Sequence, residues 1–364
     1  MIICFIGTRA QLIKMAPIIL RLEERRAPLH LVFTGQHQET MAQLMADFGI
    51  RTVPLQLYDE QEITGLVQMA GWFVRCLWRC LREAERFLPR SPRGNDAILV
   101  HGDTMSTLLG ALAGKLRRMK VAHIEAGLRS RNIFHPFPEE LTRLAVSRLS
   151  DLAFCPGRWA CDNLESSSAL RIDTHQNTLI EALALALNAS PGEPAPALLP
   201  EGAFGIASIH RFENIFNKRR LTQIIDLIEV AANRYPIVFV LHPATRKKVA
   251  KFGLLARLEM HPRIRLVPRM GYIDFVKLMR QSTFVITDGG GNQEELSYLG
   301  VPTLLMRKAT ERQEGIGTTA TLCNFDHTAL HEFLAGLESG RKPGAAPEVS
   351  PTAIIIDGLA GYAS

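Results

Sequence analysis

Short continuous apolar runs recur along the chain, each followed by a turn of small or polar residues and then by a segment with helical periodicity. Residues 1–6, 29–33, 97–100, 121–124 and 152–155 are such runs in the first half, with a shorter one at 53–57. Residues 203–209, 237–241, 264–267, 284–287 and 303–306 repeat the pattern in the second half. Runs without polar alternation are those of strands covered on both faces, as in a parallel sheet flanked by helices. The segments between them, such as 11–24, 59–88 and 221–234, predict helices. This alternation predicts doubly wound α/β domains. Between the two series, NASPGEPAPALLPEG at 188–202 holds four prolines and little periodicity, so it reads as a linker. The expected organisation is a Rossmann-like domain over 1–188, a linker at 189–202, a Rossmann-like nucleotide-binding domain over 203–340 and a C-terminal tail at 341–364.

In an open parallel sheet, ligands bind at the carboxyl ends of the strands. Asp103 and Glu125 both fall just past an apolar run there, and Glu139 follows Pro138 at the start of a helical segment. Each alone reads equally as a cap, a turn former or an anion on a helix N-terminus. Three together, with glycine beside two of them, suggest acid–base chemistry. Arg9, in the first strand–helix turn, is a candidate for an anion at the helix N-terminus. Lys14 reads either as a second such cation or as a surface charge. In the second half, His210 follows the first strand, where it can donate to a phosphate oxygen or act as an acid near neutral pH. Asp288-Gly289-Gly290-Gly291 lies between a strand and a helix, where glycines admit close backbone approach to a ligand. Glu294 or Glu295 suits ribose hydroxyls, and Arg312 adds a cation after the next strand.

Composition narrows the classes. The 364 residues are 47% hydrophobic and 21% charged, an ordinary globular balance with enough length for two domains. The net charge of +6 is modest and suits a small anionic ligand. The basic residues are dispersed, which argues against a nucleic-acid partner. None of the six cysteines forms a CxxC pair. Cys76 and Cys80 are one helical turn apart on an apolar segment and read as core. No apolar run approaches the ~20 residues of a membrane helix, and no secretory leader is read at the start. The expectation is a reduced, cytoplasmic protein without membrane contact.

Eight strings in order carry a resemblance over roughly residues 2–337. They are GTRAQLIKMAPII at Gly7, TGQH at Thr34, HGDT at His101, IEAGLRS at Ile124, PFPEELTR at Pro136, HRFEN at His210, DGGGNQEE at Asp288 and TERQE at Thr310. Together they resemble the non-hydrolysing UDP-N-acetylglucosamine 2-epimerase family. The resemblance implies a GT-B-like fold with the active site between two domains, a cytoplasmic homodimer, a UDP-sugar substrate and no cofactor, metal or nicotinamide. It implies that UDP leaves by anti elimination to give 2-acetamidoglucal and then adds back with C2 reprotonated on its other face. Carried over by motif, Asp103, Glu125 and Glu139 are the acid–base carboxylates, and His210 assists at the diphosphate. Arg9, Lys14, Arg211, Phe275, Gly289, Gly290, Gly291, Glu295 and Arg312 match substrate-binding positions, with Phe275 beside the uracil. Gln36, Arg211 and His242 fall near an activator site of bacterial members.

The chain also departs from the family pattern. Ala10-Gln11-Leu12 replaces Pro-Glu-Ala, Gly289 replaces a serine, Phe212 an arginine and Gln313 a proline. Gln38 replaces another arginine, and His175-Gln176-Asn177-Thr178 stands for TGNT. These changes leave open a different UDP-sugar, such as a 2,3-diacetamido uronic acid, a hydrolysing outcome that releases ManNAc and UDP, or a nucleotide-sugar binder without turnover.

Overall fold

The computed structural model describes all residues except 36–37, 59–64, 93–94, 133–136, 190–198, 311, 338–348 and 364. It contains two parallel sheets, each in its own compact unit: Met1–Leu185 with Pro347–Ser364, and Ala186–Ala346. The first sheet consists of β1 (Ile2–Ile6), β2 (Leu29–Phe33), β3 (Leu55–Gln56), β4 (Ala97–His101), β5 (Lys120–Ile124), β6 (Leu152–Cys155) and β7 (Leu170–Asp173). Its order is β3-β2-β1-β4-β5-β6-β7. The second consists of β8 (Gly205–Ser208), β9 (Ile237–Leu241), β10 (Ile264–Pro268), β11 (Phe284–Thr287), β12 (Thr303–Leu305) and β13 (Ala320–Leu322), in the order β10-β9-β8-β11-β12-β13. Both are doubly wound, as the alternation predicts, and the fold is GT-B-like. In such sheets the strand order reverses at one point, where neighbouring loops part and leave room for a ligand. That point lies between β1 and β4 in the first sheet and between β8 and β11 in the second.

The central strands are buried along most of their length, which explains their unbroken apolar runs. Helices cover them with apolar faces. Leu12, Met15, Ile18 and Ile19 of the helix Arg9–Glu24 are fully buried, as are Leu221, Ile224, Ile225 and Ile228 of the helix Lys218–Ala232. All six cysteines are free and buried, Cys76 and Cys80 in the core as their spacing predicts. Burial pushes the Cys4 thiol up to about 12.

The segment expected as a tail carries a helix, Pro351–Ala363, that groups with the first unit and packs on the helix Arg9–Glu24. Glu181 anchors its start by accepting from the Thr352 backbone N–H at 3.1 Å and from the Ser350 and Thr352 hydroxyls. Among the described residues, no helix is long and apolar enough to cross a membrane.

Candidate functional site

The first half-site is built at the β1/β4 switch point. Gly7 ends β1 where a side chain cannot fit: an added Cβ would lie 1.9 Å from the Ser106 hydroxyl oxygen. Thr8 then caps the following helix, its hydroxyl accepting from the Gln11 N–H while the Gln11 side chain accepts from the backbone N–H groups of Gly7 (2.8 Å) and Thr8 (3.2 Å). The Gln11 amide donates onward to the His101 carbonyl at 2.7 Å and to the Thr104 and Thr107 hydroxyls at 3.0 Å. Gln11 therefore performs the capping that a glutamate performs in a capping box, and its extra donor ties the β1 turn to the β4 turn. Arg9 lies in the first helical turn with its Nε buried and without a hydrogen-bond partner among the described residues.

Glu125 follows β5 in the left-handed region, φ 60°. Its Oε1 accepts from Lys14 Nζ at 2.5 Å and from Asn177 Nδ2 at 2.6 Å. His101 Nε2 lies 3.6 Å from the other oxygen. Both side chains of the Lys14–Glu125 pair are only 7% exposed. Lys14 is thus not a surface charge: it is a buried counter-ion of the carboxylate. Thr178 supports it by donating to the Lys14 carbonyl at 2.6 Å.

Asp103 follows β4 and accepts from Arg143 through Nε at 2.9 Å and Nη2 at 2.6 Å. Arg143 also donates to Glu140 at 3.3 Å, and Arg129 donates to the same carboxylate at 2.6 Å. Glu140 is fully buried. Burial alone would raise its carboxyl, but the Ser130 N–H and the two guanidiniums outweigh it and hold the group below the usual carboxylate range. Glu139 opens the helix Glu139–Leu149, and its Oε2 is buried with no hydrogen-bond partner among the described residues. Asp103 and Glu125 border one cavity with Gly102, His123, Arg129 and Arg143. It encloses about 10 Å³, the lower limit for one water. It is a gap between two carboxylates.

His123, buried in β5, donates from Nε2 to the Gly102 carbonyl at 2.7 Å. Burial pushes its pKa down, outweighing that hydrogen bond and the carboxylates of Asp103 and Glu125. Burial also lowers His242, with a smaller push from His210. A histidine kept neutral by the fold takes up its proton only on unfolding, so stability falls as pH drops below about 6.5. Glu140, depressed in the fold, removes more stability as pH falls through and below the carboxylate range. Thermal midpoints measured from pH 8 to 4 are expected to decline in these two stages. The first is expected to be shallower in His123→Gln, and an unchanged slope there would assign it elsewhere.

The second half-site is built at the β8/β11 switch point around Asp288, which is fully buried. It accepts from the His210 N–H at 2.9 Å, the Arg211 N–H at 3.0 Å and Asn214 Nδ2 at 2.9 Å. These three bonds fix the HRFEN turn and direct the His210 ring, 38% exposed, over Gly289. A Cβ on Gly289 would lie 2.8 Å from His210 Cε1. In this position of the ring, the imidazole occupies the room that a side chain at 289 would need. Gly289 caps the helix Gly290–Leu299, so the Gly290 and Gly291 N–H groups belong to its first turn. Gly289→Ser is expected to displace the ring and lower kcat about tenfold, ~1.4 kcal/mol, with little change in the unfolding midpoint. Steady-state kinetics beside a thermal melt checks this, and an unchanged kcat would mean that the ring needs no glycine there.

Arg312 donates to buried Glu294 at 2.5 Å. Gln293 fixes the same loop by donating to the Glu314 carbonyl at 2.9 Å and accepting from Thr310 at 2.7 Å. Glu295 is nearly buried and lies beside the Tyr272 phenol, which burial and that carboxylate push well up. Arg211 is engaged locally, its Nε 2.6 Å from Glu213. Phe212 is 68% exposed and stacks on Phe216 with ring centroids 3.9 Å apart. Phe275 is half-buried in the helix Tyr272–Gln281. The His242 ring lies 6.0 Å from that of His210, whereas Gln36 falls outside the described residues. Among the described residues, no group of three or more His, Cys, Asp or Glu is placed to hold a metal ion.

The family profile described as UDP-N-acetylglucosamine 2-epimerase matches residues 21–343. The chain belongs to this family of isomerases. A UDP-N-acetylglucosamine 2-epimerase of Methanocaldococcus jannaschii is 32% identical over 329 residues, 87% of this chain and 86% of that one. A UDP-2,3-diacetamido-2,3-dideoxy-D-glucuronate 2-epimerase of Pseudomonas aeruginosa is 35% identical over 320 residues, 85% of this chain and 84% of that one. Among solved structures, the Neisseria meningitidis UDP-GlcNAc 2-epimerase bound to UDP-GlcNAc superposes with a TM-score of 0.83 at 28% identity, covering 99% of both chains.

Arg143, Glu140, Asn177, His123 and Asp288 support the site through partners that no local motif announces. Glu140 and Arg143 lie inside PFPEELTR, Asn177 in the HQNT string and Asp288 at the head of DGGG, so their positions are marked in the sequence and their partners are not.

Proposed function

We propose that the protein interconverts UDP-GlcNAc and UDP-ManNAc through elimination and re-addition of UDP. The observation that carries this reading is the pairing of Asp103 and Glu125 across one gap at the first switch point, each held by its own cation. C2–H of the sugar is not adjacent to a carbonyl, so it is not acidic in the resting substrate. Loosening the C1–O bond makes C1 cationic and C2–H acidic. His210, Arg9 and Arg312, with the N–H groups of Gly290 and Gly291, suit the charge that develops on the departing diphosphate. A carboxylate then takes the C2 proton, leaving 2-acetamidoglucal and UDP. A carboxyl group on the other face returns a proton to C2 while UDP oxygen re-forms the bond to C1. Asp103, Glu125 and Glu139 supply the carboxyl groups for these two transfers. Glu295 takes ribose hydroxyls and Phe275 the uracil. No resident cofactor takes part in the scheme, and the reaction belongs to the cytoplasm.

Proton NMR of UDP-GlcNAc with the protein in D2O tests the reading. Deuterium at C2 together with UDP-ManNAc is the expected result. Free ManNAc accumulating with UDP would replace it with hydrolysis, and tight UDP binding without exchange would leave a binder. The 35% identity to the diacetamido-glucuronate epimerase favours one second reading, exchange only with a 2,3-diacetamido uronic acid substrate. The reading includes a homodimer, for which Val67, Val74 and Trp78, exposed on the helix Leu66–Arg82, supply an apolar face. Sedimentation equilibrium is expected to give twice the chain mass, and a single-chain mass removes this part.

A further inference from the structure

The second unit carries a basic cavity that shares no lining residue with the half-site around Asp288. It is an open, solvent-facing pocket of about 430 Å³, lined by Arg219, Arg220 and Lys308, with the amides of Asn217, Gln223 and Asn324 and the ring of Phe325. This is the size of a small-molecule site. No carboxylate lines it, and none of its three cations has an ion-pair partner among the described residues. Three other arginines of the same unit are matched by carboxylates: Arg211 by Glu213, Arg257 by Asp226 and Glu229, and Arg312 by Glu294. Three unmatched cations around one cavity repel one another, and an anion with two or more charges offsets that repulsion.

The cavity is also organised. The Arg220 guanidinium lies 4.0 Å above the centroid of the Phe325 ring. Stacking holds the guanidinium plane and leaves its edge N–H groups free to donate. Asn324 and Phe325 both have positive φ, 49° and 60°. Such conformations are uncommon for non-glycine residues, and in a phenylalanine they mark a site where the surroundings impose the backbone. We propose that this cavity binds a small phosphate-bearing anion, recognised through Arg219, Arg220 and Lys308 and the neighbouring amides. One face of the Phe325 ring is taken by Arg220 and the ring packs against the core, so the pocket offers little aromatic surface for a nucleobase. The ligand is therefore selected by its phosphate charge, not by a base.

Titration calorimetry of the full chain with inorganic diphosphate, in saturating UDP and without divalent cations, tests the site. The expected result is one equivalent bound, weakening as salt rises and weakening at least tenfold in the Arg219→Ala/Lys308→Ala double variant. Both positions are exposed, so the melting temperature and the UDP affinity are expected to be unchanged. No binding, many weak equivalents or undiminished binding in the double variant overturns the proposal. So does binding to phosphatidylglycerol vesicles without binding of free diphosphate, which would make the patch a membrane contact.

Discussion

A Glu125→Gln protein is expected to lose about 10²–10⁴-fold in turnover and to unfold more easily by about 3–5 kcal/mol. Both effects start from one oxygen. Glu125 Oε1 accepts from Lys14 and from Asn177, in a place where the lysine and glutamate side chains are almost fully enclosed. An amide keeps the shape but removes the negative charge. The carboxylate that would exchange protons with C2 is gone, and the Lys14 ammonium stays buried without this counter-charge. Removing one member of a buried pair costs more than removing both, because the survivor keeps its desolvation penalty. The Lys14→Met/Glu125→Gln double variant is therefore expected to recover part of the stability and none of the turnover. Urea unfolding and C2–H exchange measured on the same samples separate the two. Exchange within tenfold of the parent in Glu125→Gln would take the proton-transfer role away from this residue. An unchanged urea midpoint would show that Lys14 is served well enough by its other neighbours.

Gly127→Ala is expected to be the most damaging single-methyl change in the first unit, at roughly 2–5 kcal/mol from backbone conformation and overpacking together. Gly127 has φ 86°, and a Cβ built there lies 2.1 Å from the Ala160 carbonyl oxygen. That oxygen is backbone and cannot swing aside like a side-chain tip. The Gly127 carbonyl in turn accepts from Asn163 Nδ2 at 2.9 Å, so a shift of this turn breaks a second contact. Against a typical domain stability of about 5–15 kcal/mol, such a loss is visible as a lower denaturant midpoint or as reduced soluble yield. A midpoint within experimental error of the parent would mean that the turn after Glu125 can relax.

The motifs at the ends of the central strands were legible because those strands are long, apolar and buried. Their turns carry glycine, threonine and charge at fixed places. β7 and β13 were not read as strands. β7 is an edge strand, LRID, with Leu170 and Arg171 exposed, and β13 has only three residues. Neither has the apolar run that marks a strand covered on both faces. At the site, the residue types were legible and the partners were not. Arg143 meets Asp103 across 40 positions, Asn177 meets Glu125 across 52, and Thr178 meets Lys14 across 164. Periodicity reports which face of an element is buried. It does not report which distant charge will lie against it, and so Lys14 was divided between two roles of which a buried counter-ion was neither. The final helix had the same difficulty: its composition announces an apolar segment, and nothing local says which sheet receives it.

That final helix bears on how the molecule is made. Gly358 comes close to Phe154 of β6, and Ile355 and Ile356 are buried, so the first unit is completed only after the second has been synthesised. Its seven strands must wait, with the seat of the final helix open, while the whole second unit is synthesised. Synthesis at about 5–20 residues per second makes that interval long compared with the folding of a single domain. A nascent chain stalled before residue 350 would carry a first unit with an uncovered apolar seat, the kind of surface that chaperones recognise. Chains cut between the second unit and this helix are then expected to be harmed first in the first unit.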